Sequence, residues 1–135
     1  MTLRGDIDAL SGRIGAEFNA VRSEMVTGPR TVSYASLAAL VPATGRSLDV
    51  VTATLTGNPT ITPAAGADRQ VLRLALYAGG SARTVAVGSS VRLTTGITDR
   101  TLSVPSGQVG VLGLEFLAGL GSGGSWVLFA KYATS

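Results

Sequence analysis

Large apolar side chains recur at Leu3, Ile7, Leu10, Ile14, Phe18, Val21 and Met25, with successive gaps of 4, 3, 4, 4, 3 and 4 residues. This spacing keeps them on one face of a helix. Its mean of about 3.67 matches the eleven-residue coiled-coil repeat, which favours a straight or slightly right-handed bundle. Polar residues fill most of the other faces, and Gly28-Pro29 follows as a stop. The pattern predicts an α-helical coiled-coil stalk over residues 1–28, with the stripe as an oligomer interface. β-Branched and bulky residues mix along it and Phe18 needs room, which suits three strands better than two. A helix of the same period lying on its own domain is the alternative. Gly5, Gly12 and Gly15 each cost about 1 kcal/mol relative to alanine in a helix. Such a stalk therefore needs partners to be stable.

From residue 29 onward the period changes from helical to alternating. Strands are expected at Ser47–Thr56, Gln70–Ala78, Arg83–Val87, Ser90–Leu93, Arg100–Val104, Val109–Leu117 and Ser125–Tyr132, with a shorter one at Thr31–Tyr34. Ala35 to Val41 reads as a helical turn or connector closed by Pro42. Breaks fall at Gly57-Asn58-Pro59, Gly79-Gly80, Pro105-Ser106-Gly107 and Gly119 to Gly124. Residues 29–135 are thus expected to form one antiparallel β-sandwich or barrel-like domain. Arg83-Thr84-Val85-Ala86-Val87-Gly88-Ser89 is echoed by Arg100-Thr101-Leu102-Ser103-Val104-Pro105-Ser106, and more loosely by Thr60-Ile61-Thr62-Pro63. The echoes suggest a reused hairpin.

Three of these strands, Val71–Tyr77, Val109–Phe116 and Trp126–Tyr132, are apolar on both faces. A domain of this size does not readily cover them all, and contact with another subunit is the simplest remedy. Composition points the same way, with 45% apolar and only 14% charged residues.

The net charge of +3 is carried by scattered arginines and Lys131, with no basic run and no interleaved aromatics. That argues against nucleic acid as a partner. No uninterrupted apolar run is long enough to cross a bilayer, and Asp6, Asp8 and Arg13 interrupt the N-terminal apolar pattern that a signal peptide would need. The chain has no cysteine and no histidine, which removes thiolate ligation, the commonest metal ligand and the usual general base. The β domain offers Asp49, Asp68, Asp99 and Glu115 as carboxylates. Asp68 and Asp99 sit in turn-like contexts that suit Asx-turn and capping roles. Glu115 either pairs with an arginine, as of a neighbouring subunit, or faces solvent. Gly119 to Gly124 lacks the Lys-Ser/Thr ending of a phosphate loop and precedes a strand. No catalytic, cofactor-binding or metal-binding residues are expected. Trp126, Tyr77 and Tyr132 are the candidates for binding a surface, each weighed against a place in the core.

Asp99-Arg100-Thr101-Leu102-Ser103-Val104-Pro105-Ser106-Gly107-Gln108-Val109-Gly110-Val111-Leu112-Gly113-Leu114 resembles a strand-turn-strand element common in tailed-bacteriophage fibre and minor tail proteins. The Gly-rich turn and Trp/Tyr-bearing last strand, Gly119 to Tyr132, are similar to the way those proteins end. The resemblance implies a structural virion component made in the host cytoplasm. It would be a homotrimeric short tail fibre or minor tail protein with an N-terminal coiled coil, docked on other virion proteins and able to contact a host-surface glycan. Two further readings stay open: a capsid-surface fibre or decoration protein, and a carbohydrate- or cell-surface-binding β module.

Overall fold

A computed structural model describes residues 28–135. The alternating pattern closes into nine strands: β1 (Arg30–Thr31), β2 (Leu48–Thr54), β3 (Thr60–Ile61), β4 (Val71–Tyr77), β5 (Arg83–Val87), β6 (Arg92–Leu93), β7 (Thr101–Val104), β8 (Val109–Leu117) and β9 (Ser125–Ala133). A single 3-10 turn, Tyr34–Ser36, follows β1. The strands make a six-stranded sheet in the order β1-β2-β4-β8-β9-β6 and a three-stranded sheet in the order β3-β5-β7.

Period-two alternation puts one apolar row of each sheet into a shared core. Asp49, Val51 and Ala53 of β2 and Leu72, Leu74 and Leu76 of β4 point inward. They meet Ile61, Val85, Val87 and Val104 of the small sheet. Leu37 and Leu40, from the connector after β1, close one side of this core. Each fully buried leucine contributes about 2 kcal/mol through burial.

The expected fold is corrected in two respects. The sheets are mixed rather than antiparallel: β1/β2, β2/β4, β3/β5 and β6/β9 pair in parallel, whereas β4/β8, β8/β9 and β5/β7 are antiparallel. A parallel pair needs a crossover, and the chain makes one by sending β3 to the other sheet between β2 and β4. Alternation specifies which face is buried and carries no information on strand direction. Second, no α-helix occurs among the described residues, so the fold they define is β throughout and no coiled-coil stalk belongs to it. The stalk stripe Leu3, Ile7, Leu10, Ile14, Phe18, Val21 and Met25 lies outside the described residues.

The sequence echoes have a structural meaning. Arg83–Val87 and Arg100–Val104 supply β5 and β7, paired with Arg83 opposite Val104 and Ala86 opposite Thr101. Thr60–Ile61 is β3, on the other edge of β5. The three echoes are therefore the three strands of the small sheet. The stretch that resembles a phage hairpin is not a hydrogen-bonded hairpin, however. β7 and β8 lie in different sheets, and the turn at Pro105-Ser106-Gly107, with Gly107 at φ +75°, carries the chain from one layer to the other.

Gly110 lets those layers meet. A Cβ there would stand 2.5 Å from Val104 Cγ2 and 3.1 Å from Leu102 Cδ2. Val104 is buried and cannot swing into water. Gly110→Ala is expected to destabilise the domain by about 2 kcal/mol through overpacking. Urea unfolding should show a lower midpoint with an unchanged slope.

Candidate functional site

The inward rows satisfy the fold, and the outward face of the six-stranded sheet carries most of the exposed large apolar side chains among the described residues. Register places Leu48, Val71, Glu115 and Val127 side by side across β2, β4, β8 and β9. The next rows are Val50–Arg73–Gly113–Ala130 and Thr52–Ala75–Val111–Tyr132. At the far end Thr54, Tyr77 and Val109 line up. Leu48, Tyr77, Phe129 and Tyr132, between 42% and 49% exposed, all belong to this one face, whereas the more exposed Val41 lies elsewhere, beside Leu40. An open groove of about 330 Å³ runs between Thr31, Thr52, Thr54, Ala75, Tyr77 and Val109.

A β-bulge sets the aromatic content of the face. Gly113 pairs with Ala130 and Leu114 with Leu128, which leaves Phe129 as the extra residue. Its ring lies over Gly113, where an added Cβ would be 2.9 Å from Phe129 Cζ. Beyond the bulge the alternation of β9 is inverted, so Tyr132 faces outward although Trp126 and Leu128 face the core. The Arg73 guanidinium donates to the Tyr132 hydroxyl at 3.4 Å.

Of the three aromatic candidates, Tyr77 and Tyr132 share the outer face and Trp126 does not. Trp126 is 4% exposed. Its Nε1–H donates to the Ala64 carbonyl at 2.8 Å, and its ring meets Phe116 edge-on at 5.3 Å and 62°. Leu48, Arg73 and Phe129 are face residues that sequence reasoning did not single out. The alternation Val71-Arg73-Ala75-Tyr77 places Arg73 beside Tyr77, but nothing in the sequence announces the bulge that exposes Phe129.

The four carboxylates among the described residues are all engaged. Asp49, on the inward row of β2, is completely buried. Arg30 grips it with Nε to Oδ1 and Nη2 to Oδ2, both 2.9 Å. The Ala43 N–H adds a third bond to Oδ2 at 2.9 Å, and Arg46 Nη1 stands 3.8 Å from Oδ1. Burial alone would raise the Asp49 carboxyl, but the Arg30 hydrogen bonds, the Ala43 amide and the two guanidinium charges outweigh it and hold it below its ordinary value. The same contact raises Arg30. Asp68 accepts from the Ala118 N–H at 3.0 Å.

Asp99 forms an Asx turn with Thr101, accepting from its N–H at 2.9 Å, and binds Lys131 Nζ at 2.6 Å. Lys131 and the Thr101 donors together lower the Asp99 carboxyl to about 2. Glu115 faces Arg69 of its own chain at 3.9 Å. No group of three His, Cys, Asp or Glu that could hold a metal ion occurs among the described residues, and no helix there is long and apolar enough to cross a membrane.

Neither a protein-family model, a curated protein nor a solved structure matches this chain.

Proposed function

We propose that this chain is a structural component of a tailed-phage virion, a homo-oligomeric short tail fibre or minor tail protein whose β domain works through surface contact rather than catalysis. The observation that carries the reading is the outer face of the six-stranded sheet. It gathers Leu48, Tyr77, Phe129 and Tyr132 on one rigid surface, as an assembling subunit requires. The resemblance of Asp99–Leu114 to phage tail elements supports the setting, and the structural engagement of Asp49, Asp68, Asp99 and Glu115 supports the non-catalytic role.

The aromatics of the same face favour a second reading, a β module that contacts host-surface glycan through Tyr77 and Tyr132. Light scattering on the purified full chain tests assembly: a mass that is a multiple of 13.6 kDa is expected, and a mass of 13.6 kDa at all concentrations would overturn it. Immunogold microscopy of virions released by cells that encode the chain tests the location. Label on tails is expected. Label on capsid shells would move the protein to the decoration class, and unlabelled particles would end the virion reading.

A further inference from the structure

We infer that the outer face of the six-stranded sheet packs against the same face of a second copy of this chain, across a two-fold axis lying in the contact. The inference rests on the assembly reading above and names the surface that performs it.

The arrangement of charge argues for a second copy. Among the described residues, the exposed apolar field formed by Leu48, Tyr77, Phe129 and Tyr132 contains the cation Arg73 and the anion Glu115 on neighbouring strands, with Arg69 at its edge beside Glu115. Val71 lies opposite Glu115 and Arg73 opposite Gly113, so the two charges are diagonal neighbours. They do not pair with each other: Glu115 meets Arg69 at 3.9 Å, and Arg73 reaches the Tyr132 hydroxyl at 3.4 Å. A face carrying a plus and a minus side by side is complementary to itself. A two-fold rotation places Arg73 of each copy opposite Glu115 of the other, which gives Arg73 the anion its own chain does not supply and adds a second cation to the loosely held Arg69–Glu115 pair.

The size of the face agrees. Four strands of about 4.8 Å spacing and a length of seven residues at about 3.4 Å each give roughly 450 Å² of projected sheet. Upright side chains enlarge this toward the roughly 800 Å² of accessible surface that each partner buries in a standard stable complex. Sheets stacked in this way interdigitate their side chains, and the Phe129 ring raised by the bulge and the groove beside Tyr77 provide relief for such a fit.

Charge reversal in the full chain tests the contact. R73E puts a second anion on the face of each copy, and E115R a third cation beside Arg69 and Arg73. Each variant alone is expected to show half the wild-type mass in light scattering, with an unchanged β signal in circular dichroism. Mixing the two variants should restore the wild-type mass. The glutamate introduced at position 73 of one copy then meets the arginine introduced at position 115 of the other, while the remaining native Arg73 and Glu115 still face each other. Restoration on mixing cannot arise from contacts within one chain.

Retention of the wild-type mass by both single variants would place the interface elsewhere and overturn the inference while leaving assembly intact. A wild-type chain that is monomeric throughout would overturn assembly and inference together. Both also fall if a monomeric chain shows perturbed Tyr77 and Tyr132 resonances on titration with oligosaccharide, which would mark the face as a glycan platform.

Discussion

Trp126→Ala is expected to lower the stability of the β domain by about 4 kcal/mol, the largest single effect in the molecule. The indole is 4% exposed and lies where three segments meet. Phe116 stands beside it on β8, directly opposite in register. The loop before β4 passes so close that a Cβ on Gly66 would be 2.8 Å from Trp126 Cζ2. The Ala64 carbonyl takes its N–H. Truncation removes the burial of the ring, leaves a cavity these neighbours cannot close, and orphans a carbonyl.

Trp126→Phe keeps an aromatic ring against Phe116 and loses the hydrogen bond and part of the volume, so about 2 kcal/mol is expected. Thermal unfolding followed by circular dichroism checks both, with a fall in Tm on the order of 15 °C for the alanine variant. A loss below about 1 kcal/mol would show that the loop collapses onto the missing ring. Trp126 is the only tryptophan, and its emission should shift to the red when the wild-type chain unfolds.

Asp49→Asn is expected to cost about 3 kcal/mol, the lower end of the range for breaking a buried ion pair. The lower end applies because Arg30 keeps 29% of its side chain in contact with water and can be partly solvated once unpaired. Arg46 is in a worse position. Its Nη1 is buried without a hydrogen bond and depends on the Asp49 charge 3.8 Å away. Arg30→Met with Asp49→Leu should restore only part of the stability, since it removes one ion pair but still leaves the buried Arg46 Nη1 without its counter-charge.

The pair also sets an acid limb. The Asp49 carboxyl lies below its unfolded value of 3.8. Its stabilisation is therefore complete at neutral pH and is lost as pH falls through the folded value. Asp99, lowered from 3.8 to about 2, acts with the same sign. With no histidine in the chain, denaturant midpoints should stay level from neutral pH down to the carboxylate range and then fall. Asp49→Asn should make that fall shallower. An unchanged acid limb in the variant would show that Asp49 does not titrate with unfolding.

The burial of Asp49 illustrates what sequence reading misses. Nothing in Leu48-Asp49-Val50-Val51 marks this carboxylate for the interior. Here the carboxylate is inside because β1 delivers Arg30 from 19 residues away, through two residues of parallel pairing. Such a partner is invisible to local periodicity. The position of Tyr132 has a similar cause. Unbroken alternation from Trp126 would carry residues 128, 130 and 132 to the core. The bulge at Phe129 reverses the parity of β9 and turns Tyr132 outward. The mixed direction of the strands escaped for a related reason, because parallel and antiparallel ladders can bury the same alternating rows.

Other features were legible from the residues alone. Arg83–Val87 and Val109–Leu117 appear with the bounds their alternation predicts. The Asx turn at Asp99 is the contact its Asp-x-Thr context favours. The three echoed segments, by contrast, form one sheet without being the reused hairpin they suggested, because β3 runs parallel to β5, and β6 of the other sheet separates β5 from β7 along the chain. Local pattern and turn chemistry act within a few residues, so the amino-acid order alone sets where strands run and where they break. Which strand lies beside which, which way each runs, and which apolar row is left facing outward depend on contacts between distant segments. The outer face with Arg73, Glu115, Phe129 and Tyr132 arises there, from the crossover through β3 and one extra residue in β9, because burial rewards the packed whole rather than any one strand.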